Sequence, residues 1–144
     1  MLFREEKALT VLELLAVLVI ISVVSGLAVK MSGFTEYFHL RKAKDELLSL
    51  VRYTRHLAIS SGQNYEVVLI DNKCIAVIKE GESDYVRVLE VKDNISADYS
   101  RADKRLPFSP IGATNGAGSF ILTDRNGREW RIIISPTGRI RTEG

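Results

Sequence analysis

One cysteine, three prolines and two histidines in 144 residues leave little material for several kinds of chemistry. The single thiol, Cys74, excludes an intramolecular disulfide framework and a Cys-based zinc cluster, so an apolar core has to hold the fold. Cys74 opens the apolar run Cys74-Ile75-Ala76-Val77-Ile78 and reads as a small core residue rather than a nucleophile. With His39 and His56 as the only imidazoles, metal binding and His-based catalysis have no cluster to work with. No phosphate-binding glycine loop, nucleophile elbow or metal-ligand spacing is present. The glycine-rich stretch from Gly112 to Gly118 leads into a strand pattern instead of a helix, which argues against a nucleotide cradle. No cofactor, metal or small-molecule substrate is expected, and no enzymatic activity. Charge of one sign is also scarce, at net +2, but it is unevenly placed. Residues 64–100 carry four Lys/Arg against eight Asp/Glu, whereas residues 101–141 carry eight against three.

What the chain does have is one long apolar run. Leu9 to Val29 reads LTVLELLAVLVIISVVSGLAV, with Glu13 its one charge and no proline. As a helix rising about 1.5 Å per residue it spans roughly 31 Å, enough to cross the hydrocarbon of a bilayer. The spacing therefore predicts a single transmembrane helix over residues 9–29, preceded by a short polar segment, residues 1–8, whose charges cancel. Arg4 and Lys7 favour leaving that end in the cytoplasm. A secretory signal peptide cut near Gly26-Leu27-Ala28 is the competing reading, but the polar segment is not net positive and an export signal gains nothing from Glu13. A carboxylate in a membrane helix costs about 2.5–3.5 kcal/mol at its centre and persists mainly where it finds a cation.

The stretch Ala8-Leu9-Thr10-Val11-Leu12-Glu13-Leu14-Leu15 resembles the class III leader motif of type IV pilins and pseudopilins. That resemblance implies cleavage between Ala8 and Leu9 by a prepilin peptidase, methylation of the new Leu9 amine, and roles for Thr10 and Glu13 in assembly. Alanine and leucine stand where the family usually has glycine and phenylalanine or methionine. After such a cut one helical turn would separate Glu13 from the new amine, so the carboxylate is expected to pair with it, or with that of a neighbouring copy, as apolar helices associate.

Beyond Lys30 the apolar positions thin to a stripe, Phe34, Phe38, Ala43, Leu47, Leu50, Val51, Leu57 and Ala58, which predicts an amphipathic continuation of the helix over residues 30–62, capped by Gly62. Residues 63–144 read as a β-rich head: strands at Tyr65–Ile70, Cys74–Ile78 and Tyr85–Val91 in a meander, then loops over residues 92–118 with one short strand near Ile95–Tyr99. A hairpin follows, Phe120–Thr123 and Glu129–Ile134 around Asn126-Gly127, with Trp130, Ile132 and Ile134 facing inward. A turn at Ser135-Pro136-Thr137-Gly138 leads to a last strand, Arg139–Arg141.

Phe108-Ser109-Pro110-Ile111-Gly112, Phe120-Ile121-Leu122 and the run Ile133 to Arg141 resemble the C-terminal half of GspH/FimT-type minor pseudopilins. The resemblance implies an α+β fold, a long N-terminal helix packed against an antiparallel β-sheet head. It also implies an inner-membrane, single-pass subunit with a periplasmic head that joins a type II secretion or type IV pilus filament near its tip. The expected partners are the prepilin peptidase, other pseudopilins or pilins through the N-terminal helix, and the membrane. FimT-like members suggest DNA as an alternative partner, contacted through Gly138-Arg139-Ile140-Arg141. Arg139 and Arg141 on a strand would lie about 6.6–6.8 Å apart on one side, and Arg125, Arg128 and Arg131 could widen the positive patch.

Overall fold

The structure, a computed structural model, describes residues 2–144, with side chains described for residues 11–26 and 35–144. Helix α1 spans Leu2–Ser61, and eight strands follow: β1 Tyr65–Leu69, β2 Cys74–Lys79, β3 Tyr85–Glu90, β4 Ile95–Tyr99, β5 Arg105–Phe108, β6 Gly118–Asp124, β7 Glu129–Ile134 and β8 Ile140–Glu143. The chain divides into two compact units, Met1–Glu36 and Tyr37–Gly144.

In the first unit the expected span over residues 9–29 is helical, as is the polar segment before it from Leu2. Every large apolar side chain described from Val11 to Val24 is exposed, from 49% at Val17 to 68% at Leu12. The Ser22 hydroxyl donates back to the carbonyls of Leu18 at 2.6 Å and Val19 at 3.0 Å, so this polar side chain is satisfied within the helix. Among the described residues no helix is long and apolar enough to cross a membrane, and the expected span lies partly outside the described side chains.

The second unit contains the core. The buried face of α1 here is Leu40, Ala43, Leu47, Leu50, Val51, Thr54 and Ala58, at the three- and four-residue spacing of one helix side. Thr54 sits in that apolar row because its hydroxyl donates to the Leu50 carbonyl at 2.8 Å. Phe38, expected in the stripe, is half exposed, since Leu40 two residues later takes the buried face; Phe34 lies outside the described side chains. The helix ends as expected: Gly62 adopts φ 66°, the left-handed conformation that terminates a helix.

Two four-stranded antiparallel sheets share this core, one ordered β3-β2-β1-β5 and the other β4-β6-β7-β8. From the first come Val67, Leu69, Ile75, Val77, Leu106 and Phe108; from the second Ile95, Ala97, Tyr99, Phe120, Leu122, Ile132 and Ile134. Alternation along each strand decides this, as in β4, where Ile95, Ala97 and Tyr99 are buried and Ser96 and Asp98 exposed. Tyr99 stacks against Phe120 with ring centroids 4.3 Å apart and donates its buried hydroxyl to the Gly116 carbonyl. Trp130 is partly buried against the core, and the Lys44 ammonium lies 4.8 Å from the centroid of its ring.

Two strand assignments differ from expectation. Residues 105–108, expected as loop, form β5, which pairs with β1 in the register Val67↔Leu106 and Glu66↔Pro107. Pro107 argues against a strand in sequence, yet β5 is an edge strand, where a missing N–H costs nothing if it faces away from the partner. The last strand is Ile140–Glu143, shifted past Arg139, because Arg139 belongs to the turn before it.

Candidate functional site

Three turns of the head share one construction. In Ser109–Gly112, Asp124–Gly127 and Ser135–Gly138 the glycine N–H donates to the carbonyl of the first residue, at 2.8, 3.0 and 2.8 Å. In each the glycine has φ near 75°, the left-handed position that follows a type I turn in a bulged hairpin. The two Ser-Pro-x-Gly turns lie against one another: the Thr114 N–H donates to the Pro136 carbonyl at 2.9 Å, and a Cβ on Gly138 would sit 1.9 Å from the Gly112 oxygen. Arg55 of α1 fixes the pair by donating Nε to the Gly112 carbonyl at 3.0 Å. Gly138 is therefore buried packing, required by conformation and by close approach together.

This docking carries Arg139 to the helix. Arg52, Arg55, His56 and Ile59 of α1, with Arg139 and Ile140, line a groove of about 360 Å³. Positions 52, 55, 56 and 59 form one helix side next to the buried row, so their sequence spacing already grouped them. What sequence could not supply was Arg139, because the turn that delivers it is positioned by a contact with residues about 25 earlier in the chain. Among the described residues no carboxylate lines the groove.

The other arginines of the expected patch are dispersed. Arg141 is exposed on β8, opposite Ile133. Arg131 pairs with Glu129 at 3.2 Å and stands opposite Glu143. Arg125 is exposed at the β6–β7 turn. Arg128, in the same turn, pairs with the buried Asp124 at 2.8 Å and lies 5.8 Å from the centroid of the Tyr37 ring. Burial works to raise the Asp124 carboxyl, but the backbone N–H of Arg128, its guanidinium and the N–H of Asn126 outweigh it and hold the group below the usual carboxylate range. Arg128 is thus committed to holding a turn.

Of the processing and assembly residues, Ala8, Leu9 and Thr10 lie outside the described side chains. Glu13 is described and exposed, on a helix surrounded by exposed Leu12, Leu14 and Val17, with no ion-pair partner among the described residues. Among the described residues no group of three or more His, Cys, Asp or Glu side chains could hold a metal ion. Burial raises the Cys74 thiol above its ordinary value, with Asp71 and Glu90 adding to the effect, which does not favour the thiolate.

The family model of the type II transport protein GspH matches residues 43–138. Among solved structures, the Pseudomonas aeruginosa type IV minor pilin FimU is similar in fold, with a TM-score of 0.65 and 24% identity over 77% of this chain and 92% of that one. The Vibrio cholerae minor pseudopilin EpsH, from the Type 2 Secretion System, gives a TM-score of 0.60 at 13% identity over 73% of this chain and 96% of that one. No curated protein matches.

Proposed function

The chain belongs to the GspH family as a type IV pilin-like minor pseudopilin, and we propose that it is a non-catalytic subunit near the tip of a type II secretion or type IV pilus filament. The observation that carries this reading is the contrast between a head with its own core and a helix whose apolar side chains, Val11 to Val24, have no cover. A membrane before assembly and neighbouring helices after it would each supply that cover. On this reading prepilin peptidase cuts between Ala8 and Leu9, the chain waits in the inner membrane with its head in the periplasm, and Glu13 meets an N-terminal amine as helices gather. Intact-mass measurement of membrane-extracted protein is expected to find a chain starting at methylated Leu9. A chain starting at Val29 would mean that ordinary signal peptidase had acted, and the reading would fail. Glu13→Val is expected to insert and be cleaved yet not to restore assembly in a strain lacking the protein; full assembly by this variant would remove Glu13 from the mechanism.

A second reading, DNA binding in uptake, is favoured by one observation: Arg139 joins Arg52, Arg55 and His56 in a groove without carboxylates. Such a cluster suits phosphates, which position a nucleic acid without reading its bases. The full chain in detergent would then bind duplex DNA with affinity falling steeply as salt rises, and Arg139→Gln with Arg141→Gln would weaken binding for all sequences alike. Absence of salt-sensitive binding by the wild type would leave the structural reading alone.

A further inference from the structure

Two sheets present four edges, and two of these edges are closed. β5 is four residues long and carries Pro107, which has no N–H to offer a further strand. β4 is covered, since the Asn72 carbonyl accepts the Ala97 N–H at 2.7 Å and the Lys104 ammonium reaches the Tyr99 carbonyl at 2.8 Å. The remaining edges, β3 and β8, are open and differ in character.

β3 has six residues without proline or lysine, and Tyr85, Val86 and Val88 are exposed at 57%, 45% and 45%. Its register with β2 slips between Val77↔Arg87 and Ile78↔Tyr85, so Val86 has no partner across the pair. Across the outer face of the sheet, Val88 lies in one row with Ala76 and Val68, and Tyr85 in the next with Ile78. A long apolar edge of this kind is a template for strand addition, and proteins that leave it bare usually blunt it. The charges around it have an acidic excess: Glu80 and Asp84 precede it and Glu90 ends it, with Glu82 paired to Lys79, while Arg87, its one cation, lies 5.5 Å from the centroid of the Tyr53 ring. The β8 edge is the opposite. Arg139 precedes it, Arg141 is exposed on it, and its one acid, Glu143, stands opposite Arg131.

We propose that β3 of one molecule accepts β8 of a second copy as an added strand, main chain to main chain, with Arg139 and Arg141 set against the acidic residues around β3. The contact is head to tail: each molecule offers one acidic apolar edge and one basic edge, so it propagates along a series of molecules instead of closing at two. Backbone bonds supply the register-independent attraction, and the charges choose basic against acidic over β3 against β3. The contact concerns the heads only and does not depend on cleavage at Ala8 or on the role of Glu13, so it can fail while the filament reading stands.

The test uses full chains in detergent with Cys74 replaced by alanine, one carrying Val88→Cys and the other Glu143→Cys, which leaves both arginines in place. Both positions are exposed, so the folds are retained. Under mild oxidation the mixture is expected to give a disulfide-linked dimer, lost at high salt and lost when Val88→Lys replaces Val88→Cys on one side and a neighbouring cysteine, Val86→Cys, reports the contact. A chain bearing both Val88→Cys and Glu143→Cys is expected to give a ladder of oligomers. In the unmodified chain, amide hydrogen exchange along β3 should slow as protein concentration rises. A dimer from Val88→Cys alone would overturn the pairing with β8 in favour of β3 against itself. Cross-linking no greater than with Lys42→Cys on the helix, or β3 exchange independent of concentration, would overturn the proposal outright.

Discussion

The helix up to Glu36 and the head from Tyr37 are both rich in aliphatic residues, but they treat them in opposite ways. In the first, Val11, Leu15, Val19 and Ile20 are all more than half exposed. In the second, Leu47, Val51, Val67, Ile75 and Phe120 are completely buried. The difference is periodicity. From Leu9 to Val29 apolar residues lie on every side of the helix, so no single face can be hidden against one partner. From Leu40 to Ala58 they occupy one side, and two sheets cover it. A segment of the first kind needs surroundings that are apolar all round; a segment of the second kind folds with what its own chain provides.

The sharpest way to break that comparison is to truncate one large apolar side chain to alanine in each region. Phe120→Ala opens a cavity beside Tyr99 and should cost about 3–5 kcal/mol, lowering the melting temperature of the head severely. Leu18→Ala should leave that temperature unchanged in calorimetry of the detergent-solubilised chain, because Leu18 is 54% exposed and outside the core. A comparable loss from both would mean that the helix segment contributes to a shared core.

A second comparison sets two turns of identical backbone design against each other. Gly138→Ala has to adopt a left-handed conformation, which costs about 1–3 kcal/mol by itself, and its methyl collides with the Gly112 carbonyl. Gly127→Ala meets the same conformational strain in open space. Chemical denaturation should find the first variant clearly less stable than the second; equal losses would mean that the two Ser-Pro-x-Gly turns are not held together.

Tyr99→Phe keeps the ring against Phe120 and deletes only the hydroxyl, leaving the buried Gly116 carbonyl without its donor. The expected loss is about 1–3 kcal/mol, read from the same denaturation curves. Burial pushes the Tyr99 phenol up to about 12. Ultraviolet titration should therefore find a tyrosine that ionises well above the ordinary phenol value of about 10, and Tyr99→Phe should remove that component.

The smallest effect comes from Asp124. Its carboxyl ionises at lower pH in the folded head than in the unfolded chain, so the stability it contributes is fully present above the ordinary carboxylate value of about 3.9. That contribution is lost as pH falls through the depressed folded value. Asp124→Asn should flatten this acid limb of the stability curve while leaving neutral-pH stability less affected. An unchanged acid limb would remove Asp124 from the turn's pH dependence.

Much of the fold was legible in sequence because its signals are local. The end of α1 at Gly62 needs only a stripe that stops and a residue that tolerates positive φ. The β6–β7 hairpin follows from Asn126-Gly127 between alternating apolar residues, although the glycine serves as the bulge position after a type I turn. β5 was not legible, since Pro107 speaks against a strand and only its place at a sheet edge makes the proline harmless. Phe38 shows the same limit: it lies about 200° around the helix from Leu40, both sides carry apolar residues there, and only packing against the sheets decides that the side with Leu40 is buried.

The arginines mark the same boundary at the candidate site. Sequence by itself determined the pilin-like leader pattern, the apolar helix, the amphipathic continuation and the basic character of residues 101–141, because each depends on residue type at short spacing. Tertiary structure alone decided that Arg139 leaves the strand for the turn and meets Arg52, Arg55 and His56, while Arg128 is drawn to Asp124. It alone decided that β5 and β4 are closed edges and β3 an open one. The physical reason is that charge and hydrophobicity are properties a residue carries with it, whereas a groove or a free edge exists only when distant segments have been brought together and their backbone hydrogen bonds counted.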